Sequence, residues 1–133
     1  MSIPILTVDF DESRAAYLPG EILSGTYQVH APPGGDAQAL EVSVLWTTEG
    51  KGDEDMAVHF FERVTADESG QIDFLRPRRF STQLPNSPLS YDGVIVKIRW
   101  CVRLRVFLAR GKHLIEERTF RLGTIPAARA ILP

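Results

Sequence analysis

From Val94 to Leu108 every second residue is apolar: Val94, Val96, Ile98, Trp100, Val102, Leu104, Val106 and Leu108. The positions between them include Lys97, Arg99, Arg103 and Arg105. A β-strand turns successive side chains to opposite faces, so this segment shows an apolar face to a core and a cationic face outward. A helix would scatter the same charges around its circumference. The alternation predicts one strand over 94–110. At ~3.3 Å per residue it would span roughly 55 Å, far beyond the usual strand of about 3–10 residues. It is therefore expected to bend, or to pass from one sheet to another.

The rest of the chain carries the same period, and no segment sustains a helical one. Residues 3–10 place Leu6, Val8 and Phe10 on one face, and residues 21–30 alternate Leu23, Gly25, Tyr27 and Val29 against Ile22, Ser24, Thr26, Gln28 and His30. Residues 38–48 align Leu40, Val42, Val44 and Trp46, and residues 57–64 align Val58, Phe60 and Val64 on one side. Two short extended pieces, 71–75 and 78–84, are parted by Pro77, and 113–122 follows a glycine-containing turn at 109–112. Seven or eight strands with turn signals between them predict an all-β, two-sheet antiparallel β-sandwich. The length, 133 residues, suits one domain, expected over 1–123 with a tail over 124–133.

The formal charge of −2 hides a division. Residues 1–75 hold three Lys/Arg against fourteen Asp/Glu, and residues 76–133 hold twelve against three. Either the halves fold together and pair their charges across strands, or the basic half offers a binding face. Candidate binding residues are Lys97, Arg99, Arg103 and Arg105, with Arg78 and Arg79 close by in sequence. Such a face would suit phosphates, acidic peptide or anionic lipid. The competing reading pairs these cations with Glu41, Glu62, Glu116 or Glu117.

Catalytic and metal chemistry find no motif. His30, His59 and His113 are dispersed, without H-E-x-x-H or C-x-x-C, so neither a metal site nor a cofactor is expected. Asp53-Glu54-Asp55 lacks the calcium-loop pattern, Gly50-Lys51-Gly52 is too short for a phosphate loop, and no G-x-S-x-G occurs. Cys101, the one cysteine, falls in the outward register between Arg99 and Arg103 and is expected to be partly covered and unreactive. No run of about 18 apolar residues predicts a membrane span. The N-terminus lacks the cationic and apolar regions of a signal peptide, and a cytoplasmic location is expected.

Two stretches resemble a known family. Tyr17-Leu-Pro-Gly-Glu21, with Ile22-Leu-Ser-Gly25 and Tyr27-Gln-Val29, is similar to the opening of arrestin N-terminal domains. Phe80-Ser-Thr-Gln-Leu-Pro85, Ser87-Pro-Leu-Ser-Tyr-Asp-Gly93 and Val96-Lys-Ile-Arg-Trp-Cys-Val102 are similar to the segment that ends them. Together the motifs bracket about residues 5–122. The resemblance implies an immunoglobulin-like, arrestin-like sandwich in which Pro19, Gly20, Glu21, Leu84, Pro85, Gly93 and Trp100 hold the fold. It also implies a non-enzymatic adaptor or scaffold with protein partners, self-association as a homodimer being one form, and no nucleic acid. Animal arrestins have two such domains and this chain has room for one. Their phosphate-sensing and polar-core residues have no counterpart that can be placed here.

Overall fold

The computed structural model describes residues 6–30, 37–50, 54–65 and 76–123. The expected strand at 71–75 and the tail at 124–133 lie outside these residues. Among the described residues nine strands follow in order: β1 (Leu6–Phe10), β2 (Ala16–Tyr17), β3 (Ile22–Val29), β4 (Ala37–Gly50), β5 (Met56–Thr65), β6 (Arg78–Gln83), β7 (Tyr91–Asp92), β8 (Val96–Leu108) and β9 (His113–Leu122). They form a three-stranded sheet, β1-β3-β6, and a six-stranded sheet, β2-β9-β8-β4-β5, in which β7 also pairs with β8. All pairs are antiparallel except the two-residue β2–β9 ladder, which is parallel. This is the two-sheet β-sandwich that the alternation predicts.

The core lies between the sheets. The three-stranded sheet contributes Leu6, Val8, Leu23, Tyr27, Val29 and Phe80, and the larger sheet contributes Leu40, Val42, Val44, Trp100, Val102, Leu104, Val106, Phe120 and Leu122. Trp100 is fully buried, its ring lies 5.8 Å from that of Phe120, and its Nε1 donates to the Pro88 carbonyl at 2.8 Å. A buried indole thus fills volume and keeps its one donor satisfied.

The long strand is shorter than its sequence pattern. β8 runs for 13 residues, and it stays within the six-stranded sheet. Val94 and Ile95, 66% and 76% exposed, belong to the connection from β7. Gly93 explains the break: its N–H donates to the Val96 carbonyl at 2.9 Å, and a Cβ there would stand 2.4 Å from that oxygen. At the far end Arg110 and Gly111, both with positive φ, turn the chain into β9.

β5 departs from the expected pattern more sharply. Its register with β4 shifts between Val44, opposite Phe60, and Leu45, opposite Val58. The extra residue is His59. A bulge reverses the alternation, so Phe60 and Val64 pack against the core while Val58 faces out with Phe61. His59 is turned toward the other sheet, its Nε2 within 2.8 Å of the Gln83 carbonyl and 3.2 Å of Thr82 Oγ1. The bulge thereby joins two sheet edges, β5 and β6.

The turn motif before β3 is held as the sequence suggests, with one addition. Gly20 has φ +85°, its N–H donates to the Leu84 carbonyl at 3.0 Å, and the Leu84 N–H donates to the Glu21 carbonyl at 2.9 Å. Glu21 does more than mark the turn. Its carboxylate accepts from the Leu18 N–H at 2.6 Å and from both terminal nitrogens of Arg14, at 3.1 and 3.0 Å. Arg14 in turn lies 4.2 Å from the Tyr17 ring centroid. Leu84 is buried and Pro85 half-buried. In the second motif, Ser90 ties the connection to β9 by exchanging two 2.8 Å hydrogen bonds with the Leu122 backbone.

Candidate functional site

Pairing registers turn the outward positions of the larger sheet into four rows. Met56, Val58, Phe61 and Arg63 on β5 stand opposite Thr47, Leu45, Ser43 and Glu41 on β4. Those stand opposite Arg99, Cys101, Arg103 and Arg105 on β8, and Cys101, Arg103 and Arg105 stand opposite Thr119, Glu117 and Ile115 on β9. Three properties divide this face: a paired basic middle, an apolar margin on β5, and an aromatic–cationic corner near the β8–β9 turn.

In the middle, two of the four expected cations are paired. Arg103 pairs with Glu117 at 3.0 Å, and Arg99 with Glu49 at 3.3 Å. Arg103 also reaches Met56 Sδ, at 3.6 Å, so one side chain links three rows of the sheet. Beneath it Ser43, Leu45 and Cys101 are buried although they point away from the core. Burial first, then the hydrogen bond to Glu117 at 3.2 Å, pushes the Cys101 thiol up to about 12. Arg103 and Arg99 act in the opposite direction and do not prevail. A thiol in that state is protonated near neutrality and is a poor nucleophile.

Arg78 and Arg79 are not part of this face. They lie on β6, in the other sheet, where Arg79 pairs with Asp11 and Arg78 is half-buried opposite Tyr27. Closeness in sequence does not bring them to β8 because β6 and β8 belong to different layers. Lys97 is exposed opposite Glu49. Three of the ion pairs, Arg79–Asp11, Arg99–Glu49 and Arg118–Asp9, join the basic half to the acidic half. The charge division therefore serves pairing in part: Arg103 meets Glu117, one of the carboxylates expected from sequence, and the pairs that join the two halves use Asp9, Asp11 and Glu49, which were not among them.

On the margin, Met56, Val58 and Phe61 are 55%, 49% and 52% exposed. They belong to β5, which among the described residues lies at the end of the sheet and pairs with β4 alone. Arginines border this apolar row: Arg63, which pairs with Glu41, and Arg103 from β8, which reaches Met56 across β4. Alternation sets Val58 on one side with Phe60 and Val64, and the bulge turns it out beside Phe61.

At the corner, the guanidinium carbons of Arg63 and Arg105 lie 5.1 and 5.8 Å from the Phe107 ring centroid, and the His113 ring lies 6.3 Å from it. Between β1 and β9, Leu6, Thr7, Val8, Asp9, Glu116, Glu117 and Arg118 line an open depression of about 260 Å³. That is smaller than the ~300–1,000 Å³ usual for a small-molecule pocket. Among the described residues no three His, Cys, Asp or Glu side chains gather as metal ligands, and no helix is long and apolar enough to cross a membrane.

No protein-family model and no curated protein sequence matches the chain. Among solved structures it is similar to the sporulation control protein Spo0M from Bacillus subtilis, with a TM-score of 0.62 at 18% identity. The match covers 94% of this chain and 51% of that one, so the chain spans about half the length of its neighbour. At that identity the likeness is one of fold, and the fold is the arrestin-like β-sandwich.

Proposed function

We propose that this domain is a non-enzymatic interaction module, an adaptor or scaffold, that docks protein partners on the outward face of its larger sheet. The observation that carries the reading is the apolar row Met56, Val58 and Phe61, exposed on an edge strand and bordered by arginines. Met, aromatic side chains and Arg are enriched at protein interfaces, with apolar contacts central and charged ones at the rim. An arrestin-like fold, which offers faces and edges more than a deep pocket, supports the same reading by analogy alone. The partner proposed first is a second copy of the chain, forming a homodimer.

Light scattering across a concentration series tests this. The native chain is expected to form a dimer, and Val58→Lys with Phe61→Lys a monomer of unchanged melting temperature. A native chain that stays monomeric removes self-association and leaves a different protein as partner.

A further inference from the structure

A strand at the end of a sheet offers a row of backbone N–H and C=O groups to any strand that can lie about 4.8 Å away. Among the described residues β5 pairs with β4 alone, and Met56, Val58 and Phe61 stand exposed along it. Two features interrupt the row. His59 is the extra residue of the bulge, so the regular part of β5 is cut into 56–58 and 60–65. Its ring spans the gap to β6, reaching the Gln83 carbonyl and Thr82, and lies edge-on to Trp100 with centroids 6.1 Å apart. In the middle of the longer run, Glu62 holds an inward position, opposite the fully buried Val42, and is nevertheless exposed. It faces the smaller sheet: burial first, then the Glu62 charge, pushes the Tyr27 hydroxyl up, and Arg78 acts in the opposite direction.

We infer that Glu62 and the His59 bulge close the free edge of β5 to strand addition, so that a second copy of the chain engages this domain through side chains of the outward face and does not extend the sheet. The inference rests on the homodimer reading for its occupant, and it specifies how the two copies meet. Two β5 strands related by a two-fold axis perpendicular to the sheet pair antiparallel, inner face beside inner face, when the axis passes through a residue. Centred on Glu62, the ladder uses all of 60–64 and sets two carboxylates directly opposite, with Cβ atoms about 4.5–5.5 Å apart. Centred on Phe61, it covers Glu62 with the second copy's Phe60 and meets the bulge at the next pair. Centred on Arg63, it covers Glu62 with the second copy's Val64 and sets Arg63 against its own copy. Each register takes the Glu62 carboxylate out of water against an apolar side chain or a like charge, and burying an uncompensated carboxylate is costly. The outward row carries no such obstacle, since Met56, Val58 and Phe61 are apolar and Arg63 is paired with Glu41.

The test reads size by light scattering and the β5 backbone by amide exchange, in the native chain, in Glu62→Val, and in Glu62→Val with His59 deleted. Deleting His59 restores a regular strand, because Val58 and Phe60 already stand opposite the adjacent residues Leu45 and Val44. In the native chain the β5 amides not bonded to β4 should exchange fast at every concentration, including where the chain is dimeric. The double variant should associate beyond the native chain and slow those amides at least about tenfold as concentration rises. Glu62→Val alone should do the same to a lesser degree. Protection of those amides in the native chain, at any concentration, would overturn the inference whether or not the variants fold. So would a folded variant of either kind that associates no more than the native chain does. A native chain that stays monomeric removes the homodimer reading and leaves the edge readable in the variants, whereas a native dimer that protects those amides keeps the dimer and removes this inference.

Discussion

Single residues decide how tightly this sandwich is tied, and several act through contacts a sequence cannot display. Gly25 is the plainest case. A Cβ there would stand 2.2 Å from the Asp9 carbonyl oxygen and 2.9 Å from the Phe80 ring, so β1 approaches β3 over a residue without a side chain. Gly25→Ala should cost about 1–3 kcal/mol, measured by urea unfolding, because backbone must move to admit the methyl. Trp100→Ala removes the ring between Phe120 and the Pro88 carbonyl and should cost about 3–5 kcal/mol in the same assay. Cys101 should resist alkylation at pH 8 until the chain is unfolded, because its thiol is buried and protonated. Stoichiometric labelling of the folded chain would show that Arg103 and Glu117 do not cover it.

Two carboxylates give the fold a pH dependence of definite sign. Arg14, then the Leu18 N–H, holds Glu21 below its ordinary carboxyl value, and Arg79, then Ser24, does the same for Asp11. A depressed folded value stabilises the native state above the unfolded one, and that contribution disappears as pH falls through the depressed range. The melting temperature should therefore be level near neutrality and fall below about pH 4. Glu21→Gln should lower it at pH 7 and flatten the acid limb. An unchanged acid limb in Glu21→Gln would remove Glu21 from the account.

At the scale of elements, β8 was legible because both its faces obey one rule over 13 residues, and burial on one side and charge on the other leave one register. Its ends were not, since Val94 and Val96 continue the apolar alternation into the Gly93 turn, where pairing geometry and not hydrophobicity stops the strand. The bulge at His59 was hidden for the opposite reason. Val58, Phe60 and Val64 keep an even spacing, and nothing in residue type announces that Val58 and Phe60 face opposite ways. The candidate site was accordingly half visible. Arg103 and Arg105 were found on the outward face, but the apolar row beside them depends on the bulge, and the layer separating Arg78 and Arg79 from them depends on topology. Amide exchange should follow the same hierarchy. β8, with strands along both sides, should be the slowest to exchange, and the two-residue β2 and β7 should exchange early. Fast exchange across Trp100–Val106 would be inconsistent with a central strand.

For the whole molecule, the two sheets divide the work. The inward faces supply one continuous core, and the outward face of the larger sheet carries the exposed apolar row Met56, Val58 and Phe61. On the smaller sheet the outward positions of β3 are Ile22, Ser24, Thr26 and Gln28: Ile22 is exposed at the start of the strand, and the middle of the strand, Ser24 and Thr26, is small and polar. The account therefore assigns docking to one face of the sandwich and not to the other. Site-resolved photo-crosslinking tests this most directly, with a photoreactive residue at position 61 in one sample and at position 26 in another. Position 61 should yield a discrete crosslinked species that Val58→Lys suppresses, and position 26 should yield none. A discrete species from position 26 with none from position 61 would contradict the assignment.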